Sequence, residues 1–239
     1  MMKRIMPAIT FLLLLVSIIT LMVYGNTAKS SYVYDVDFNK WIEDSETVVM
    51  YDYYPYDKNY DIYGDGKNIK RFEDLESQSE LIVKGHLDLS KPREEYVECV
   101  LSYFEVTDVF KGDIEKENPI GIFEPINSTG MPGILLCGDG YAPMVEETEY
   151  ILYLKKYKNI HFGDSKYLYV PTSQRYGKYN VDSGILKLFT KDEFSDINTI
   201  KYSEWKDCEI FLFKEKAFKR YVEYKERSLE KYCNRVVCN

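Results

Sequence analysis

The sequence predicts a mainly β fold of the α+β class, with a small antiparallel β-barrel or sandwich and a C-terminal helix. Two apolar segments organise this prediction: residues 81–89 read LIVKGHLDL, and residues 96–113 read YVECVLSYFEVTDVFKGD. More apolar segments follow them, separated by turn residues at short intervals, which is typical of antiparallel sheets. The 23 tyrosines also favour a β fold, because tyrosine is favoured in strands.

Alternation of side chains predicts the individual strands and their faces. In the long strand, alternate residues from Val100 to Val106 share one face, and the opposite face is also largely apolar. We therefore expect this strand to be covered on both sides for part of its length. Further strands are predicted at residues 48–54, 119–126, 134–136, 149–155, 167–172, 177–181 and 185–189. Helices are predicted at residues 71–78 and 203–232.

Four regions follow one another along the chain. Residues 1–25 form a targeting segment, residues 26–70 an irregular linker or strap rich in Tyr and Asp, residues 71–190 the barrel and residues 191–239 a helical extension. We expect the helix of the extension to pack on the barrel. The alternative is an amphipathic helix that binds a partner.

The N-terminus has the pattern of an export signal. Lys3 and Arg4 precede an uncharged run from Ile5 to Gly25. That run is long for the core of a signal peptide and close to the minimum for a membrane span, so a cleaved signal peptide and an uncleaved anchor both remain open. In either case the positive end stays in the cytoplasm. We therefore expect an extracellular or cell-surface protein that contacts the membrane only through this segment.

The net charge of the chain argues against a nucleic-acid partner. Without Lys3 and Arg4, the chain has 29 basic and 39 acidic residues, a net charge of about −10. An acidic surface repels phosphate backbones, so we expect no nucleic-acid binding.

Export would permit disulfide bonds among the five cysteines. Cys99 and Cys137 could join two strands, and Cys233 and Cys238 could close a small loop at the C-terminus. The odd number leaves at least one thiol free or in an intermolecular bridge. The alternative is that some of the five are ordinary buried thiols.

Four short patterns occur in a familiar order in this chain. They are a Val-x-Gly strand at Leu81 to Gly85, a Val-hydrophobic-Lys-Gly strand end at Val109 to Gly112, an aliphatic and aromatic strand at Thr148 to Leu154, and a Gly-Lys-aromatic strand at Gly177 to Tyr179. In this order the chain resembles exported bacterial proteins with a netrin-like or tissue-inhibitor-of-metalloproteinase-like OB-fold barrel. The resemblance covers residues 71–189 and implies an OB-like barrel, not a reaction. The animal inhibitors act through an N-terminal Cys-x-Cys wedge, whereas the first cysteine here is Cys99, so protease inhibition is not implied.

Candidate catalytic residues are few. Nucleophilic catalysis needs a Ser or Cys near a His, and the chain has only His86 and His161. The best available dyad is Cys137 with His161, because Cys137 stands beside a Gly-rich turn. Phosphate-binding loops and closely spaced zinc ligands are absent from the sequence, so we expect no cofactor.

One stretch has a partial calcium-loop pattern. Asp35, Asp37, Asn39 and Glu46 stand at positions 1, 3, 5 and 12 of such a loop. Lys40 replaces the glycine needed at position 6, which weakens the pattern.

The sequence therefore favours a non-enzymatic binding protein, whose partner is a protein or a component of the cell envelope. Its binding surface is expected at the open face of the barrel and at the loops 51–66 and 127–140. An exported hydrolase that uses Cys137 and His161, and a calcium-dependent surface module, are the two alternatives.

Overall fold

The computed structural model describes residues 14–20, 37–51, 69–96, 99–114, 119–128, 133–157, 167–182, 184–193 and 199–233. The helices and strands, in chain order, are α1 Phe38–Asp44, β1 Thr47–Tyr51, α2 Phe72–Gln78, β2 Leu81–Leu87, β3 Glu94–Glu95, β4 Val100–Lys111, β5 Ile120–Glu124, β6 Ile126–Asn127, β7 Ile134–Gly138, β8 Glu149–Lys156, β9 Leu168–Pro171, β10 Lys178–Asn180, β11 Thr199–Lys201, α3 Tyr202–Trp205 and α4 Glu215–Cys233. Residues 14–20 are also helical. Within the described ranges, none of the helices has both the length and the apolar character needed to cross a membrane.

Five strands close into a barrel. The ring runs β8–β2–β4–β5–β9 and returns to β8. Every pairing in the ring is antiparallel except that of β5 with β9, which is parallel. The predicted mainly β fold with a barrel and a C-terminal helix is therefore confirmed.

The long strand β4 shows why the barrel forms where the sequence predicts it. Val100, Ser102, Phe104 and Val106 are all buried, as expected of alternate residues on one inner face. On the other face, Leu101 packs in a separate outer cluster of buried side chains. Both faces of the first half of β4 are thus covered, as predicted.

A second sheet lies beside the barrel and was not predicted. Its four strands have the order β11–β1–β7–β6. They come from the strap, the barrel region and the C-terminal extension, which are far apart in the sequence. Their buried side chains share one core with those of α1 and α3, including Phe38, Val48, Leu135, Ile200 and Tyr202. The strap, residues 26–70, thus contributes strand β1, because Val48 is buried against side chains that come from distant parts of the chain.

The prediction of one helix over residues 203–232 is wrong in its first half. The structure has two helices, α3 and α4, and the residues between them form isolated β-bridges from Cys208 to Ile185, from Ile210 to Tyr141 and from Leu212 to Leu188. The reason is burial on both sides of the segment: the alternate residues Cys208, Ile210 and Leu212 are buried, and so are Glu209 and Phe211 between them, as in an extended segment covered on both faces. Residues 185–189 likewise form bridges instead of the predicted strand.

Helix α4 packs on the barrel, as the simpler interpretation predicts. The Tyr153 and Ser228 hydroxyls lie 2.7 Å apart in the buried contact between β8 and α4. At the end of the helix, Lys231 forms an ion pair with Glu76 of α2. The buried face of α4 is therefore occupied by the chain itself.

Candidate functional site

The C-terminal ends of β1 and β7 lie side by side at one edge of the second sheet. Strands β1 and β7 pair in parallel, with Met50 opposite Cys137 and Tyr51 opposite Gly138. Because parallel strands end on the same side of a sheet, the chain leaves β1 and β7 at neighbouring points. Residues 52–66 and 129–132 of the two loops lie outside the described residues.

The turn after β7, residues 138–141, has one hydrogen bond within itself and one from a neighbouring segment. The Tyr141 N–H donates to the Gly138 carbonyl at 2.9 Å, and the Phe211 N–H donates to the Gly140 carbonyl at 2.9 Å. Asp139 and Gly140 have φ of 52° and 82°, in the left-handed region. The turn is thus a defined structure, stabilised by a neighbouring segment.

An ion pair between Arg175 and Asp139 lies at this turn. Arg175, in the turn between β9 and β10, donates from Nη2 to Asp139 Oδ1 at 2.8 Å. The two side chains are 21% and 26% exposed. They therefore present one positive and one negative group to solvent at the same point. We call residues 138–141 together with residues 173–177 the turn edge.

Beneath the turn edge lies a fully buried carboxylate, Glu124. Its Oε1 accepts a hydrogen bond from the Ser102 hydroxyl, and its Oε2 accepts one from the Met144 N–H at 2.8 Å. The Arg93 guanidinium lies 3.6 Å from Oε1 and is also buried. Buried charges are tolerated when they are paired and hydrogen-bonded in this way.

A second buried carboxylate, Glu209, ties the segment before α4 to the barrel. It accepts hydrogen bonds from the Asn180 N–H at 2.8 Å and from the Tyr221 hydroxyl at 2.7 Å. Its other oxygen forms an ion pair with Lys225 of α4. Glu209 thus joins β10 and α4 through three donors.

Between these two carboxylates lies Lys178 of β10, which is only 4% exposed. Its Nζ lies 4.8 Å from the centre of the Tyr141 ring and 5.1 Å from that of the Tyr150 ring. Burial lowers the pKa of Lys178 to about 8, although Glu124 and Glu209 oppose this change. Lys178 is therefore a buried cation held by aromatic faces rather than by a direct ion pair.

Sequence reasoning missed Lys178 as a candidate. The Gly-Lys-aromatic pattern at residues 177–179 predicts only a strand. The rings and carboxylates that surround the ammonium come from β5, β8, the turn after β7 and the segment before α4. No local pattern could have signalled them.

The predicted dyad is described only in part. Cys137 is a free, buried thiol in β7, and burial raises its pKa well above the usual value. The charged groups that act on this thiol are Lys178 and Glu124. A high pKa disfavours the thiolate, which is the nucleophile. His161 lies outside the described residues, so its pairing with Cys137 stays a prediction.

The two predicted disulfides have different outcomes. Because Cys137 is a free thiol, its bridge to Cys99 is not formed in the structure. The two residues belong to different core clusters, one on the outer face of the barrel and one under the second sheet. Cys238 lies outside the described residues, so the bridge from Cys233 to Cys238 stays a prediction.

Two residues of the partial calcium pattern, Asp37 and Asn39, lie at the start of α1. The Asp37 side chain accepts a hydrogen bond from the Lys40 N–H and caps the helix, while Asn39 lies within it. Glu46 follows the helix, and Asp35 is outside the described residues. The described part of the chain contains no group of three or more residues placed to bind a metal ion.

Comparison with known protein families, curated proteins and solved structures finds no match to this chain. We therefore infer the function from the residues of the chain and from their geometry. Two features support this inference: the partly exposed ion pair of the turn edge and the buried charged groups beneath it.

Proposed function

We propose that this chain is an exported, non-enzymatic binding protein of the cell envelope, and that the turn edge contacts its partner. The observation that carries the proposal is the parallel pairing of β1 with β7. This pairing puts the end of β1 beside the Gly-Asp-Gly turn, residues 138–140, that follows β7. Proteins often bind their partners through loops, which a rigid scaffold holds in position.

The polar groups of this region support binding rather than catalysis. The two partly exposed charges at the turn edge, Arg175 and Asp139, are paired with each other. The groups beneath them, Glu124 and Glu209, are buried and already accept hydrogen bonds from the chain. Such an arrangement gives a rigid platform, in which the described charged groups are already engaged by the chain itself.

We further propose that the barrel is of the OB type and that the chain is a distant netrin-like protein. The support is the order of the ring. Counted along the chain, the first barrel strand pairs with the second and the fourth, and the third pairs in parallel with the fifth. A five-stranded barrel with these crossings is the arrangement that the OB fold uses. Export through the N-terminal segment is part of the same proposal.

Binding of the full-length protein to envelope material of its source organism tests the function. We expect saturable binding, and we expect Arg175→Glu to weaken it at least tenfold, because the substitution puts a second carboxylate beside Asp139. The matched control is Lys219→Glu. It makes the same kind of charge reversal on the exposed face of α4, where Lys219 pairs with Glu215.

Thermal melting of both variants shows that they remain folded. Absence of saturable binding by the folded protein, or equal binding by the Arg175→Glu variant, would contradict the proposal.

A further inference from the structure

Lys178 is a buried cation whose nearest neighbours cannot neutralise it directly. Among the described residues, its ammonium forms no ion pair within 4 Å. It lies over the faces of the Tyr141 and Tyr150 rings. The backbone of Lys178 is fixed, because its carbonyl accepts a hydrogen bond from the Tyr221 hydroxyl at 2.9 Å. The side chain is thus confined to a site where a proton is costly to keep.

The two nearby carboxylates are engaged elsewhere. Glu124 accepts hydrogen bonds from Ser102 and Met144 and faces Arg93. Glu209 accepts its hydrogen bonds from Asn180 and Tyr221 and pairs with Lys225. Both carboxylates attract the ammonium from a distance, and neither is released to form a direct bond with it.

Several titratable and charged groups act on Lys178 or on the side chains around it. They come from β5, β7, the turn edge, β8, the segment before β3, the segment before α4, α3 and α4: Glu124, Cys137, Tyr141, Tyr150, Arg93, Glu209, Tyr202 and Lys225. Burial raises the pKa of Cys137 and of the three tyrosines, so these groups stay protonated near pH 8.

We propose that Lys178 is a proton-operated switch under the turn edge: loss of its proton in mildly alkaline solution releases the Tyr141 ring and alters the 138–141 turn. The physical link is short. A charged ammonium attracts the faces of aromatic rings, and a neutral amine does not. Tyr141 is the last residue of the turn, and its N–H donates to the Gly138 carbonyl. A change at the ring is therefore transmitted directly to the backbone beside Asp139.

The switch would make binding at the turn edge depend on pH, and this part of the inference rests on the proposed function. The titration itself does not, because it can be observed without any partner. Failure of the switch and failure of the binding proposal are therefore separate results.

Nuclear magnetic resonance of the full-length protein, with ¹³C-labelled lysine and tyrosine, tests the inference between pH 6.5 and 9.5. We expect the Lys178 Cε signal to titrate with a midpoint near 8, the value to which burial lowers its pKa. The ring signals of Tyr141 and Tyr150 should shift with the same midpoint. In the Lys178→Met variant these ring shifts should be lost.

The matched control is Lys84→Met. Lys84 lies 3.0 Å from Asp108, and this contact raises its pKa, so Lys84 keeps its proton throughout the range. The Tyr141 and Tyr150 shifts should persist in this variant. Lysine signals that do not titrate in the wild type would overturn the inference without need of any variant. Ring shifts that survive in Lys178→Met would overturn it as well.

Discussion

Replacing Glu124 by Ala is expected to lower the free energy of unfolding by about 3–5 kcal/mol, because it leaves the buried Arg93 charge without the carboxylate that faces it. The same change removes the acceptor for the Ser102 hydroxyl and the Met144 N–H. Both donors lie in the interior, where an unsatisfied group is costly. Urea unfolding followed by circular dichroism measures the loss.

The control for this prediction is Glu105→Ala. Glu105 also has a side-chain partner, His86, whose Nε2 lies 3.2 Å from its carboxylate, but the Glu105 side chain is 64% exposed. An exposed pair contributes about 0–1 kcal/mol, since water screens it. Equal losses in the two variants would show that Glu124 and Arg93 are not buried together as described.

Replacing Gly140 by Ala is the second prediction with a large effect. Gly140 has φ of +82°, and a Cβ there would lie 2.2 Å from the Phe211 carbonyl oxygen. The left-handed backbone costs about 1–2 kcal/mol for a residue with a side chain, and the overlap adds about 1–3 kcal/mol. We therefore expect a total loss of about 2–5 kcal/mol in the free energy of unfolding, measured in urea.

Gly133→Ala separates the two causes. Gly133 has φ of +73°, but a Cβ there would meet nothing within 4 Å. It should show only the backbone cost of about 1–2 kcal/mol. If Gly140→Ala loses no more than Gly133→Ala, the turn does not pack against Phe211 as the structure has it.

The barrel could be predicted because its strands carry a local signal. In β4, the alternation from Val100 to Val106 predicts a buried face, and burial follows it. The helix α2 was predicted at residues 71–78 and is found at Phe72–Gln78. These elements need only nearby residues to be recognised.

The second sheet could not be predicted because its pairings join distant segments. Strand β6 has two residues, and β1 pairs with β7 across more than eighty residues of chain. The stretch around Ile210 is apolar at a spacing that fits a helix as well as a strand, a known ambiguity of short apolar runs. Its partners, Tyr141 and Ile185, decide between the two.

The sequence predicts a loop of the candidate site but does not predict its buried lysine. Turn residues indicate the segment 127–140, but only the parallel pairing shows that the turn after β7 lies beside the end of β1 at Tyr51. Lys178 gave no signal, because a lysine in a short strand is usually exposed. Its burial depends on Tyr141 and Tyr150, which lie far from it in the sequence.

Site-specific photo-crosslinking tests the central claim most directly. A photoreactive amino acid is placed at Asp139 in the full-length protein, and a matched copy carries it at Lys216, an exposed position on α4. Both proteins are irradiated with envelope material of the source organism. The account predicts a discrete, competable adduct from position 139 and none from position 216. Adducts from position 216 alone, or no adduct from a folded protein that binds saturably, would contradict the assignment of the turn edge as the binding surface.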